Sequence, residues 1–498
     1  MRQNIIHYLR AGYPGLYLVS PEEQRMEAEL KAIAKEICFH LYCWSATTGI
    51  VDTEKGRVQE AVEPVEALLA AQELPTESIL LLRDFHVFLD DPNPVLLRQF
   101  KDLLHVGKTK SKSLIILGCR LCLPPELERE LTVVDFALPG KAQLTVVLDG
   151  ILKSAELKSL ADAECDAALD AAMGLTTIEA ENAFALSVVE AKAIVPAIIA
   201  REKAQAVKKS GLLEIIDATE SLDDVGGLEM LKAWLLKRKY AFGQRAKEYG
   251  LPVPKGLLIL GIPGTGKSLT AKAIARAFGI PLLRLDAGRL FGSLVGQSEG
   301  NLRSAIQTTE AIAPCVLWLD EIEKAFSGVK SSGGTDGGTS ARVFGSFIAW
   351  MQEKQAPVFI VATANDVSQL PPELLRKGRF DEIFFVDLPT QTEREAIWKI
   401  QIRKYRRNPN DFDCIQLARA TEGLTGSEIE AVFAEALYQA FDAGSEPTDL
   451  TVAEMLTEFV PLSRLMGEQI SGLRQWAKGR ARRATNLIVA ASERRITM

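Results

Sequence analysis

The sequence predicts an α/β protein made of two successive parallel-sheet domains, the second closed by a helical subdomain. Three observations carry this. Short apolar runs alternate with helix-forming stretches along the 498 residues, the pattern of strands joined by crossover helices. One such run, Lys255-Gly-Leu-Leu-Ile-Leu260, leads into Gly261-Ile-Pro-Gly-Thr-Gly-Lys-Ser268 and then into a helix-forming stretch. The first half, finally, echoes the second at a nearly constant offset.

Composition permits this fold and excludes other classes. At 47% hydrophobic and 25% charged residues the chain is neither a disordered nor a collagen-like polymer. Its length allows about three domains of roughly 150 residues each. A net charge of −7 argues against a surface coated with phosphate contacts, so nucleic acid is not the expected partner. No apolar run approaches the roughly 18 residues of a membrane span, and the N-terminus lacks the pattern of a signal peptide. Seven cysteines, an odd number in mostly apolar or helical contexts, fit a reducing compartment, hence a cytoplasmic expectation. Cys119 and Cys122 form a lone CxxC with no histidine nearer than His105, too few ligands for a structural zinc site. They read as buried thiols at a strand end, with a redox pair as the alternative. His7, His40, His86 and His105 lack metal-ligand spacing, and Tyr17 and Trp44 read as core. Pro92-Asn-Pro94 reads as a helix-initiating turn.

The first half is a worn copy of the second. Gly15-Leu-Tyr-Leu-Val-Ser and Lys31-Ala-Ile-Ala34 lie 241 residues before Gly256-Leu-Leu-Ile-Leu-Gly and Lys272-Ala-Ile-Ala275. Pro124-Pro-Glu-Leu127 precedes Pro371-Pro-Glu-Leu374 by 247, Leu138-Pro139 precedes Leu388-Pro389 by 250, and Gly174-Leu-Thr176 precedes Gly423-Leu-Thr425 by 249. Four matches in the same order point to a tandem repeat. The copies differ where chemistry would sit. Gly266-Lys267-Ser268 falls on Arg25-Met26-Glu27, and the loop Ser20-Pro-Glu-Glu-Gln-Arg25 has no glycine and two carboxylates, which would repel phosphate. The strand end Leu82-Arg83-Asp84-Phe85 has no carboxylate pair. Residues 1–200 are therefore expected to be a non-catalytic domain. An Ala-rich, helix-prone stretch runs from residue 185 to 215 and overlaps a link at 201–220; there Lys203, Lys208 and Lys209 read as a solvated face or, alternatively, a partner site.

The second half carries the chemistry. Glycines in 261–268 let the backbone wrap a phosphate with its N–H groups pointing inward, and the following helix adds its positive end. Pro263, Gly264, Thr265, Gly266 and Leu269 form the cradle. Lys267 would neutralise β/γ-phosphate charge and Ser268 would ligate Mg²⁺. The apolar run Cys315–Leu319 delivers Asp320 and Glu321 at a strand end, one for the metal and one to polarise water. Phe359-Ile-Val-Ala-Thr-Ala-Asn365 ends on an amide able to sense the γ-phosphate. Arg376 and Arg379, three apart around Gly378, have the fork geometry for developing phosphate charge. Such arginines often serve a neighbour's nucleotide, which would make the active unit a ring. Ser331–Ser340 is a low-complexity loop. From residue 390 to 460 the pattern is helical only. Residues 461–498 hold eight Lys/Arg against Glu468 and Glu493. They read as a phosphate-tracking tail or as a helix packed on the domain around Gly472–Ala481.

Together these motifs resemble the AAA ATPase family over about residues 220–490. The resemblance implies an αβα P-loop subdomain at 221–388, a helical lid at 389–460 and a basic helical tail at 461–498, preceded by the degenerate AAA-like domain. Ser221-Leu-Asp-Asp224-Val-Gly-Gly227 is similar to the family motif whose backbone contacts adenine, which assigns Asp224 and Gly226 to the nucleotide. Gly426-Ser427-Glu428 is similar to the lid contact, Arg376 and Arg379 to the paired arginine fingers, and Gly296-Gln-Ser-Glu299 to the segment after the pore loop. Threading members carry an aromatic residue two before that glycine; here it is Leu294, followed by Val295, with Phe291 nearby. The opening Tyr13–Arg25, Cys43-Trp-Ser-Ala-Thr-Thr-Gly49 and the C-terminal Pro461-Leu-Ser463 and Arg474–Ala481 resemble the Ycf-type AAA proteins of cyanobacteria and plastids. The implied properties are Mg²⁺-dependent ATP hydrolysis, with ADP as the other nucleotide state, assembly as a homo-oligomeric ring, usually a hexamer, and a cytoplasmic or stromal location. A protein partner is expected through residues 1–200, and the Ycf-type group is loosely tied to photosynthetic carbon use. An ATP-gated scaffold is the competing expectation, and nucleic-acid remodelling a third.

Overall fold

The computed structural model describes residues 2–209, 211–292, 297–324 and 337–486. The residues Leu294, Val295 and Gly296, which resemblance sets beside a pore loop, most of the Ser331–Ser340 stretch and residues 487–498 lie outside them, and the side chain of Phe291 is likewise outside the description. The chain divides into two compact units, Met1–Ala206 and Val207–Met498. The stretch 201–220 holds the last turns of the helix Pro196–Lys209 and an edge strand, Leu213–Ile216.

In the first unit the strands are β1 (Gly15–Val19), β2 (His40–Ser45), β3 (Gly49–Asp52), β4 (Gly56–Gln59), β5 (Ser78–Arg83), β6 (Lys112–Gly118) and β7 (Thr132–Asp135), in the spatial order β4-β3-β2-β5-β6-β1-β7. The five strands from β2 to β7 in that order are parallel. β1 and β6 are buried along their whole length, which is why they read as continuous apolar runs rather than alternating ones. Tyr17 and Trp44 are fully buried core residues. Asn93 caps the helix Pro94–Lys110 by accepting from Val95 N at 2.8 Å, so Pro92-Asn-Pro94 does start a helix. Four helices, Lys141–Ser154, Asp162–Ala172, Thr177–Ala191 and Pro196–Lys209, close the unit around Leu144, Leu148, Phe184 and Ile199. Lys203 does not lie on a solvated face: it is 7% exposed, and its ammonium donates to the carbonyls of Asp170 and Met173. Cys119 is exposed and Cys122 half-buried, so the CxxC is not a pair of buried thiols.

The second unit repeats this plan. Its strands are β8 (Leu213–Ile216), β9 (Gly256–Gly261), β10 (Leu282–Leu285), β11 (Cys315–Leu319), β12 (Val358–Ala364), β13 (Glu382–Val386) and β14 (Arg482–Arg483), ordered β14-β13-β9-β12-β11-β10-β8. The parallel core β10-β11-β12-β9-β13 has the connectivity of β2-β5-β6-β1-β7, so the tandem repeat seen in sequence is a repeat of topology. The edges differ: β8 and β3 are antiparallel additions at equivalent positions from opposite chain directions. The helices Gln391–Lys404, Cys414–Ala420, Gly426–Asp442 and Asp449–Glu458 pack around Trp398 and Phe433. The C-terminal stretch is not wholly helical. After the helix Gly467–Ala477 it adds β14 alongside β13.

Candidate functional site

The site lies at the carboxyl ends of β9, β11 and β12, where parallel sheets place their ligands. Gly264 and Gly266 have φ of +79° and +85°. That left-handed backbone suits glycine, and a Cβ at Gly264 would lie 2.8 Å from Thr425 Oγ1. The loop thus turns sharply and hands the chain to the helix Lys267–Phe278. Thr265 Oγ1 donates to Ile262 O at 2.7 Å and fixes the turn. Lys267 is 6% exposed, its ammonium donating to Gly261 O at 2.9 Å and Ile262 O at 2.7 Å. Burial pushes it down to about 8, against the pull of Glu323, Asp320 and Glu321. A buried cation whose hydrogen-bond partners among the described residues are two backbone carbonyls is suited to meet an anion.

Beside it, Ser268 Oγ donates to Asp320 Oδ1 at 3.2 Å. Thr363, which sequence reasoning missed, donates to the same oxygen at 2.6 Å and accepts from Glu321 N at 3.0 Å. Glu321 has φ of +47°, a strained value for a residue with a side chain. Its carboxylate accepts from Asn365 Nδ2 at 3.2 Å and pairs with Lys324. Asn365 N in turn donates at 3.0 Å to Glu323, the second residue sequence reasoning missed, whose carboxyl is pushed upward by burial. The signal for Thr363 was present: strand alternation puts residues 363 and 365 on one face.

Lys267, Ser268, Asp320, Glu321, Thr363 and Asn365 line a cleft of about 820 Å³ together with Asp224, Gly226, Pro263, Leu269, Ile397, Gln401, Gly426 and Ser427. The lid helix Gly426–Asp442 touches the loop directly, Ser427 N donating to Gly264 O at 3.0 Å. Asp224 turns its carboxylate back on Ser221, accepting from its N and Oγ at 2.7 and 2.9 Å, and the backbone donor holds it below the usual carboxylate range. Arg376 and Arg379 do not line the cleft of their own chain. Arg376 is exposed, and Arg379 Nε has no hydrogen-bond partner among the described residues. A deep cation at a glycine-cradled loop, next to a hydroxyl–carboxylate pair, fits a nucleoside polyphosphate with Mg²⁺.

The corresponding place in the first unit is filled by the chain itself. There the helix begins at Glu23, the counterpart of Gly264, so the residues that would form a phosphate loop are already helical. Sheet register aligns Arg83 with Asp320 and Cys119 with Asn365. Arg83 pairs with Glu27, the counterpart of Ser268. Buried Glu22 pairs with Arg25 at 2.5 Å and accepts from Thr177 N at 2.5 Å, capping the lid-like helix. An arginine stands where the second unit has Asp320.

Residues 257–388 match the family described as "ATPase family associated with various cellular activities (AAA)". Residues 1–136 and 142–210 match the N-terminal and second domains of SpoVK-like AAA ATPases. A "ycf46" AAA domain-containing protein of Pyropia yezoensis is 40% identical over 492 residues, 97% of this chain and 99% of that protein. The chain belongs to the AAA ATPase family. A second ycf46 AAA domain-containing protein, from Guillardia theta, is 39% identical over 476 residues, 94% of this chain and 93% of its own length. The ATP-dependent zinc metalloprotease FtsH of Pseudomonas putida is 32% identical over 244 residues, 47% of this chain and 38% of the protease. The fold is thus a P-loop AAA unit preceded by a degenerate AAA-like unit. Among the described residues no helix is long and apolar enough to cross a membrane.

Proposed function

We propose that the chain is a Mg²⁺-dependent ATPase that works as a homo-oligomeric ring, of the hexameric kind its family resemblance implies, and remodels a protein partner held through residues 1–200. The observation that carries this is the convergence of Lys267, Ser268, Asp320, Glu321 and Asn365 on one cleft closed by the lid at Ser427. Lys267 leaves its carbonyl partners for the β/γ-phosphates, and the loop N–H groups share that charge. Ser268 and Asp320 would hold Mg²⁺, which supplies charge neutralisation on the phosphate oxygens. Thr363 keeps the Asp320 carboxylate aimed at that place. Glu321 accepts the proton of the attacking water, and the Asn365 amide orients both carboxylate and water. Arg376 and Arg379, outside their own cleft, act on a neighbour's nucleotide. The first unit, with Arg83 where the metal ligand belongs, binds no nucleotide and serves as the partner-binding domain. The FtsH relative, described as ATP-dependent, supports hydrolysis; the match spans 38% of that protease. The Ycf-type resemblance supports a cytoplasmic or stromal setting and a role in photosynthetic carbon use.

One observation favours the slower alternative, a nucleotide-gated scaffold. Glu321 is ion-paired with Lys324, a resting arrangement that must open before that carboxylate oxygen reaches water. Glu321→Gln tests the assignment. It is expected to bind ATP as the parent does and to stall hydrolysis; parental turnover would overturn the role of Glu321.

A further inference from the structure

The cleft depends on a part of the chain that does not line it. We propose that the C-terminal segment 474–485 is a clamp on the lid hinge, with Thr485 and Arg474 as positioning residues for the nucleotide site. The inference rests on the nucleotide reading above and deepens it.

The hinge is the stretch from β13 to the helix Gln391–Lys404. On its near side Asp387 receives Arg474, whose Nε lies 2.9 Å from both carboxylate oxygens and whose Nη2 lies 2.8 Å from one. On its far side stands Glu393, 7% exposed. Its Oε2 accepts from Thr390 N and Oγ1 at 2.9 and 3.0 Å, a capping box that starts the hinge helix. Its Oε1 accepts from Leu228 N at 3.1 Å and from Thr485 Oγ1 at 2.6 Å. One buried carboxylate therefore ties together the hinge helix, the C-terminal segment and the end of the Val225-Gly-Gly-Leu228 loop, whose first two residues line the cleft. There is no slack in this junction. A Cβ on Gly227 would lie 2.2 Å from Glu393 Oε1, and one on Gly226 would lie 2.5 Å from Ile397 Cγ1.

The segment is seated firmly enough to act. Ala484 is fully buried; its N donates to Phe385 O at 3.0 Å, and its carbonyl accepts from Met230 N and Leu231 N at 3.0 and 3.2 Å, capping the helix Glu229–Leu236. Arg482 pairs with Glu382 at 3.7 Å and lies over the Phe384 ring. These contacts also use Arg474 and Arg482 inside the unit, which disfavours the reading of this tail as a phosphate-tracking surface.

Thr485→Val keeps the shape of the side chain and removes the donor to Glu393, so it separates clamping from bulk. In the full chain without nucleotide, exchange of the Leu228 amide is expected to speed up about tenfold in Thr485→Val and to return to the parental rate in Thr485→Ser. A fluorescent ADP analogue is expected to bind about fivefold to tenfold more weakly to Thr485→Val, with kcat changed less than twofold, and Thr485→Ser is expected to restore the affinity. Arg474→Gln is expected to weaken binding in the same direction. Unchanged Leu228 exchange, or parental affinity in Thr485→Val, overturns the clamp. A parent chain that binds no ADP analogue overturns the nucleotide reading instead, while the nucleotide-free exchange still decides the clamp.

Discussion

At the scale of single residues, the site turns on a lysine that burial holds at about 8. Phosphate binding favours its charged form, so its value must rise when nucleotide arrives. Below pH 8 the lysine is charged before and after binding, and affinity should be flat. Above pH 8 the free site has lost the proton that the complex regains, so affinity should fall, by at most about tenfold per pH unit. An ADP-analogue titration from pH 6.5 to 9.5 checks this, and a profile rising with pH would contradict it. Lys267→Ala should abolish nucleotide binding altogether. Thr363 offers a finer test. Its hydroxyl is used in aiming Asp320 and holding Glu321 N, so Thr363→Val should cost about tenfold to hundredfold in turnover or Mg²⁺ affinity while nucleotide binding persists. Lys267, Ser268, Asp320 and Asn365 were legible because each sits at a strand end or helix start marked by an apolar run. Strand alternation put Thr363 on the face of Asn365, but a threonine within a strand has ordinary structural uses; Glu323 was hidden, because a carboxylate within a helix is equally ordinary and only the fold brings it to Asn365. Glu393 was hidden likewise: its capping-box spacing says helix start, and nothing local says that Leu228 and Thr485 converge on it.

At the scale of elements, the two units show one topology carrying opposite electrostatics. The second presents a glycine-cradled loop to an anion; the first begins its helix three residues earlier and pairs its own charges. The nearly constant offset made the repeat readable, and the missing glycines showed that the first unit lacks the glycine-rich loop. What replaced the ligand could not be read, because Glu22, Arg25 and Thr177 meet only through the fold, across 155 residues between the carboxylate and the amide it caps. Removing one partner of a buried ion pair costs about 3 kcal/mol. Glu22→Ala should therefore strip protection from the Thr177 amide in hydrogen exchange, while the ADP-analogue affinity of the second unit stays parental. Unchanged protection would mean that the Glu22 cap does not hold the helical part of the first unit.

At the scale of the whole molecule, a glycine-cradled cleft in the second unit and two arginines that do not line it define the claim. A chain that supplies Arg376 and Arg379 to a neighbour is incomplete alone, so turnover must depend on assembly. The most direct measurement is ATP turnover across a protein concentration series, with mass determined at each point, for the parent and for Arg376→Ala. The expected result is turnover that climbs as the mass climbs, and its loss in Arg376→Ala with nucleotide affinity retained. Equal turnover per chain at every mass, or full activity in Arg376→Ala, would contradict a site completed by a second copy.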